Sequence, residues 1–576
     1  MFYKNRNHPQ RNGTIIVLVL VIIAILTLAA LTFSGLMLAE RRGADYSVRR
    51  TQVRLFAESG IEAVRMALLL DEEDLEEFGY FYDNYDQFCG VLVTDSLEDP
   101  RDVGRFSVIA PFWDEDGLFY DIRYGLWDES SKLSLRLIYE YEQLQPGVGR
   151  EILMHLPGME QEIADAILDW IDEDDETRDY GYEADYYESL DISYLPRNGM
   201  VESLEELLLI EGVTPLLLFG ADWNRNHLID IGEPNTDSLG DYDNSDRLLD
   251  GGWASLLTID SREKSTTATG TERVYVNADD LESLQTDLNS ALNNEEWVKY
   301  ILAYRLFGTT GTLAELEDSD ESDDSETPQT PPQTGQSSES QTPSTPQGPS
   351  GDTGQSQNQQ ENSEELDLSQ TPVARVNSPF DLIGGSLQVR YSGQTETTTL
   401  QSPFSEDVDS MAQYLPTLIE ALMFSEDPRN TRINITEASR GVLLAIPGMT
   451  DNALNTILEN RLPDPSDAEE TEEMATYAWP LLLDLIDLET MKAIGPYLSQ
   501  EGAVKSAQIV ARFDSRSPVV RLNVLFDLSE QPAKIAKITD LTDLGPGYTQ
   551  DLLGVYEDSA SMFSTGTAVT ENRRNH

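Results

Sequence analysis

The chain has 576 residues, of which 104 are acidic and 39 basic, giving a net charge of −65. A surface this acidic repels phosphodiester backbones and argues against nucleic acid as the main ligand. A single cysteine, Cys89, excludes an intramolecular disulfide framework, and the length has room for several domains.

A short basic leader ends at Gly13, and an uncharged run follows over 14–39. That run is too long for a secretory apolar region and long enough to cross a bilayer. Beyond it Val53, Phe56, Ile61, Val64 and Leu68 carry on an apolar stripe at helical steps. The pattern predicts one long N-terminal helix, half in lipid and half amphipathic. A plain single-pass anchor and a pilin-like subunit both have this pattern. Lys4, Arg6 and Arg11 precede the span, and Arg41, Arg42, Arg49 and Arg50 follow it, so flanking charge does not orient the chain.

Residues 105–110, 118–124 and 132–137 alternate as strands, the last two joined by a turn at 128–131. They are expected to pack as a small antiparallel sheet on the amphipathic half of the helix. From 146 to 220 the pattern turns helical. Ile152, Leu153 and Leu156 precede Pro157-Gly158, and Ile163, Ile167, Leu168 and Ile171 follow, which reads as two helices about a tight turn. A further helix is expected over 203–209, capped by Ser203. The turn Leu156-Pro157-Gly158-Met159 returns as Ile446-Pro447-Gly448-Met449, which suggests two related helical modules. Helix–Pro-Gly–helix units resemble helix-hairpin-helix and SAM-like domains. Many of these bind DNA, but the flanks here are Glu160, Glu162, Asp165 and Asp169, with no basic cluster.

Between Gly308 and Ala374 there is no Lys, Arg or aromatic residue, and the composition predicts a disordered acidic linker. Residues 507–513 and 519–526 read as a C-terminal hairpin. The fold class expected is therefore α+β, partitioned as leader 1–13, transmembrane helix 14–39, helix and strands 40–145, helical domain 146–307, linker 308–374, second helical module 375–500, and strands with a tail 501–576.

The sharpest chemical motif is 222–233. Asp222, Asn224, Asn226, Asp230 and Glu233 place oxygen ligands at loop positions 1, 3, 5, 9 and 12, and Leu228 offers its carbonyl at position 7. That is the spacing of an EF-hand-type calcium loop. His227 stands at position 6, where glycine is usual, and must take an unusual backbone angle. An Asp/Asn-rich turn without metal is the plainer account. Asp237, Asp241, Asp243, Ser245 and Asp246 have poor spacing for a second site. Asp172, Asp174, Asp175, Glu183 and Asp185 form another acidic cluster, a candidate second metal site or a hydrated helix end. The four histidines lie in no triad or metalloprotease spacing, and no Gly-rich phosphate loop occurs, so no catalysis is expected.

These features resemble general secretion pathway protein K, the large minor pseudopilin of type II secretion systems. The resemblance rests on several stretches. Gly13 precedes the apolar run, and Ala57-Glu58-Ser59-Gly60-Ile61-Glu62-Ala63 lies on the helix. Asp128-Glu129-Ser130-Ser131-Lys132-Leu133 leads into a strand. Leu156-Pro157-Gly158-Met159 is followed by 166–176, and then come Glu183-Ala184-Asp185-Tyr186-Tyr187 and Asn198-Gly199. Coverage is good from 11 to about 220 and patchier beyond; the linker and C-terminal strands depart from the family.

The resemblance implies an inner-membrane, single-pass protein with its bulk in the periplasm. A prepilin peptidase would cut between Gly13 and Thr14, and the new N-terminus would be methylated. Leu18 then falls at mature position five, where most pilin-like subunits carry Glu, and its absence implies a place at the tip. Partners would be other minor pseudopilins, the inner-membrane assembly platform, exported protein substrates and membrane lipid; the 222–233 spacing adds calcium as cofactor, and the net charge argues against nucleic acid. Two other classes stay open: a membrane-tethered calcium-binding scaffold or adhesion protein, and a helix-hairpin-helix DNA binder.

Overall fold

In the computed structural model the described residues are 14–94, 102–113, 119–228, 230, 233, 251–308, 365–394, 396–462, 472–514 and 518–554. They fall into two compact units. The first comprises 1–264, 427–477 and 497–576; the second comprises 265–426 and 478–496.

The first unit opens with helix α1, Thr14–Ala67, 54 residues long. At ~1.5 Å per residue it is a rod of roughly 81 Å. Among the described residues it is the one helix long and apolar enough to cross a membrane. Its C-terminal half buries Val53, Phe56, Ile61, Val64 and Leu68, the stripe expected from the sequence. These side chains pack on a seven-stranded sheet. Its strands are β1 (Val91–Thr94), β2 (Gly104–Trp113), β3 (Phe119–Arg123), β4 (Trp127–Asp128), β5 (Val504–Phe513), β6 (Val519–Asp527) and β7 (Lys534–Asp540). The order is β1-β2-β5-β6-β7, with β3 on β2 and β4 on β5. The ladders between these strands are antiparallel.

Alternation explains the packing. Ala507, Ile509, Ala511 and Phe513 of β5 join the cluster against α1, whereas Val510 faces the other side with Ile109, Tyr548 and Leu553. Gly60 lets the helix seat closely on the sheet, because a Cβ there would sit 2.9 Å from both Ile509 and Phe106.

The sequence expectations meet this structure unevenly. The strands expected at 105–110, 507–513 and 519–526 are present, and that expected over 118–124 is seen as Phe119–Arg123. The strand expected over 132–137 is not. Only Leu133 and Ser134 pair, in parallel with Leu257 and Thr258, and a helix runs over Leu135–Leu144. The Leu-x-Leu-x-Leu pattern mimics a strand, but burial of Leu135, Ile138 and Glu142 follows helical spacing. The segment 204–209 is a 3₁₀ helix and Ser203 makes no side-chain cap. Instead the Glu206 carboxylate reaches back to accept the Glu202 N–H. The C-terminal strands are not a separate region; β5 is the central strand beside β2. Both Pro-Gly turns are real. Helices Val148–Leu153 and Gln161–Ile171 flank Gly158 (φ +68°), and Arg440–Leu444 and Asp451–Asn460 flank Gly448 (φ +81°). The second Pro-Gly turn lies in the first unit with the sheet, whereas 375–426 and 478–496 of the expected second module, and 265–307 of the expected helical domain, lie in the second unit.

The second unit contains helices Leu281–Leu292, Glu295–Phe307 and Val408–Ala421 and a hairpin of Ser386–Val389 with Thr398–Gln401. Phe404, Tyr414 and Trp297 stack in its core. Most of the expected linker, 309–364, lies outside the described residues. Its last ten are held: Val373 and Ala374 donate to the Arg305 carbonyl, and Ser392 donates to that of Glu365.

Candidate metal centre

Helix Gln161–Ile171 buries Ile163, Ile167, Trp170 and Ile171, yet the same buried face carries Asp165 and Asp169 one turn apart. Asp172 caps its C-terminus. Asp165 is matched by Arg150 of the preceding helix, whose Nη2 donates at 3.0 Å while Nε donates to the other oxygen at 2.5 Å. Asp169 and Asp172 share one guanidinium. Arg178 Nη1 donates to Asp169 at 2.7 Å and also to Asp172. Gly181 makes room, since a Cβ there would lie 1.9 Å from Asp169 Oδ2. The chain then returns Glu183 to the same place, at the start of helix Ala184–Glu188.

Asp169, Asp172 and Glu183 are all buried, and each offers an oxygen within 4.8 Å of the other two. Oxygens that ligate one calcium at 2.3–2.6 Å lie at most ~5 Å apart, so the spacing fits. The charge does not balance within the chain: three carboxylates face one guanidinium. Among the described residues, both oxygens of Glu183 and Oδ1 of Asp172 are buried without a hydrogen-bond donor, an arrangement that folded proteins rarely leave uncompensated. The carbonyl end of the helix adds further negative potential. Burial, reinforced by the neighbouring Asp169 and Asp172, pushes Glu183 up to about 7. Burial pushes Asp172 up to about 6 against the pull of Arg178, and burial likewise raises Asp169. The donor set is all oxygen, which suits a hard cation such as calcium.

Of the five acidic residues singled out from the sequence, the structure brings only Asp172 and Glu183 into this centre. Asp174, Asp175 and Asp185 are exposed. Asp174 accepts the Glu176 N–H and Asp175 accepts from the Asn198 amide. Asp169 was not singled out, although two aspartates on an apolar helix face were the available signal.

The 222–233 loop has a different character. Asp222 is buried, and its two oxygens accept the N–H groups of Asn226 and His227, each at 2.9 Å. Asp230 Oδ2 takes the side-chain amides of Asn224 (2.7 Å) and Asn226 (2.9 Å). Glu233 accepts the N–H groups of Asn224 and Asp230. Asn226 Oδ1 accepts the N–H of Leu228, whereas Asn224 Oδ1 has no partner. His227 has φ +62°, the left-handed angle that position demands. Its ring does more than tolerate that angle. Nε2 accepts from Gln508 at 3.1 Å, and the ring meets Trp127 edge-on at 5.8 Å. Burial, with Lys132 and Arg521 nearby, lowers its pKa to about 3 and keeps it neutral. Arg521 donates to the carbonyls of Asn224 and Arg225, and Gln508 to that of Arg225, so β5 and β6 hold the loop. Residues 237–246, the weaker acidic run, lie outside the described residues.

Gly13 also lies outside them, Thr14 is the first residue of α1, and Leu18 is exposed on that helix.

Residues 147–218 match the family model for protein K of the type II secretion system. That segment holds Asp165, Asp169, Asp172, Arg178 and Glu183. A chain in the crystal structure of the GspK-GspI-GspJ complex from the enterotoxigenic Escherichia coli type 2 secretion system aligns at 10% identity and a TM-score of 0.34. The alignment covers 86% of this chain and 99% of that one, a likeness too slight to build on. No curated protein matches the chain.

Proposed function

We propose that this chain, a member of the general secretion pathway protein K family through its residues 147–218, is a minor pseudopilin of a type II secretion system. The observation that carries the proposal is that matched helical domain, in one unit with an apolar-to-amphipathic helix packed on an antiparallel sheet. The helix anchors the chain in the inner membrane and leaves the bulk in the periplasm. Partners are other minor pseudopilins, the assembly platform, and exported proteins or the outer-membrane channel. The role is structural, not catalytic.

Leu18 supports placement at the tip. A subunit inside the filament uses a carboxylate at mature position five to neutralise a neighbour's terminal amine in lipid, where an unpaired charge is costly. A subunit with nothing above it has no such amine to meet. Calcium belongs to the proposal too. Asp169, Asp172 and Glu183 would hold an ion that supplies the missing positive charge at the end of helix Gln161–Ile171. Asp222, Asn224, Asn226, Leu228, Asp230 and Glu233 would hold a second ion in the loop, on exchanging the internal hydrogen bonds that their oxygens now accept.

Processing tests the proposal. Coexpressed with a prepilin peptidase, the chain should acquire an N-terminus at Thr14, read by intact mass, and Gly13→Val should block the change. A chain that keeps Met1 under both conditions would reduce α1 to an ordinary anchor.

A further inference from the structure

The helical domain carries a surface that neither the anchor nor the carboxylate centre uses. Helix Ala184–Glu188 and the chain after it build a cluster of tyrosine rings in tilted and edge-on contact. Tyr182 and Tyr186 lie 4.3 Å apart by ring centroid, and Tyr187 is 5.3 Å from both Tyr186 and Tyr194. Tyr194 donates its hydroxyl to the Leu209 carbonyl at 2.7 Å, tying 192–195 to 209–211. Around this cluster the apolar side chains point to solvent. Ile192 is 83% exposed, Leu195 60% and Leu209 49%. Isolated exposed leucines are ordinary, but Tyr194, between Ile192 and Leu195 in the chain and bonded to the Leu209 carbonyl, draws these three onto one patch. The tyrosine cluster matters because it presents the patch at little entropic cost on binding.

The rim is acidic. Glu188, Asp191 and Glu211 are exposed, and Glu211 is fixed by the Tyr186 hydroxyl. The nearby cation, Arg197, is engaged by Glu202 and Glu206. We infer that the Ile192–Leu195–Leu209 face is a docking surface for a partner protein that presents apolar side chains flanked by lysine or arginine. Charge selects this occupant. A second copy would bring the same acidic rim and the same net charge of −65, and anionic lipid would be repelled. The inference deepens the pseudopilin proposal, which supplies only the setting in which such a partner is met.

The test uses the full chain in detergent and a synthetic amphipathic peptide of leucine and lysine. Ile192→Ser with Leu195→Ser should weaken binding by at least ~10-fold, the scale of one or two lost apolar anchors. The same exchange at Leu483 and Leu485, exposed on the second unit, should leave it unchanged. Asp191→Asn with Glu188→Gln should flatten the salt dependence and provides an independent arm if the first variant is damaged. A serine–lysine peptide should bind weakly and equally to all forms. Equal binding of the leucine–lysine peptide to both serine double variants overturns the inference. So does a dimer, seen by sedimentation, that Ile192→Ser with Leu195→Ser dissolves, since the occupant would then be a second copy. The chain is coexpressed with a prepilin peptidase, and its N-terminus is read on the same preparation. Retained Met1 with an intact peptide difference sinks the pseudopilin proposal alone, and the reverse pattern sinks the docking surface alone.

Discussion

Glu183 is a buried carboxylate that receives no hydrogen bond. Its pKa near 7 lies above the ordinary carboxylate value, so the folded chain holds that proton more tightly than the unfolded chain does. The sign follows: without metal, stability rises as pH falls through 7 and is lost as pH rises. A bound cation favours the charged form and reverses this. In chelator the first unit should melt higher at about pH 5.5 than at about pH 8, and calcium should raise the melting temperature most at the higher pH. Glu183→Gln should abolish much of both effects in a calorimeter. A pH-independent calcium response, or none, would remove the cation from this centre. The sequence exposed only part of the site. Glu183 and Asp172 stand out in an acidic run, whereas Asp169 is camouflaged among Ile167, Leu168, Trp170 and Ile171. A periodicity argument assigns that face to the core and has no way to mark the two aspartates, Asp165 and Asp169, that stay buried on it.

At the scale of elements, α1 was legible because its stripe has one period and one partner face. The same holds for β2, β5 and β6, whose alternation places Ile509 and Ala511 opposite Val510. What local patterning cannot supply is the partner of a strand. Nothing near residues 105–110 announces that β5 lies beside them. Residues 132–137 failed for the opposite reason, since a short alternating run is also compatible with the first turn of a helix. The contact of α1 with the sheet gives a sharp test. Gly60→Leu would drive a side chain into Ile509 and Phe106. Improved helix propensity recovers less than ~1 kcal/mol, whereas overpacking costs about 1–3 kcal/mol, so net destabilisation is expected in denaturant titration. A variant as stable as the parent would mean that the helix does not seat where described.

Across the whole molecule, two excisions should behave oppositely. Residues 309–364 offer little apolar surface, and removing them should leave the melting of the first unit unchanged within about 0.5 kcal/mol. Removing 501–576 strips away β5, β6 and β7 and uncovers the faces of α1 and β2 that they cover. That chain should be recovered as aggregate, and a soluble product with native-like exchange protection over 104–113 would contradict the topology.

The placement of β5 also sets a clock. Trp127 and Ser506, neighbours across β4 and β5, are separated by 379 residues. At a synthesis rate of ~5–20 residues per second, the N-terminal strands wait roughly 20–80 s for their central partner. Through that interval the lower edge of β2 and the stripe from Val53 to Leu68 are complete in sequence yet bare. Exposed strand edges and apolar stripes invite aggregation, so slowing the arrival of the last hundred residues should lower the soluble yield of a chain whose finished sheet is unaltered.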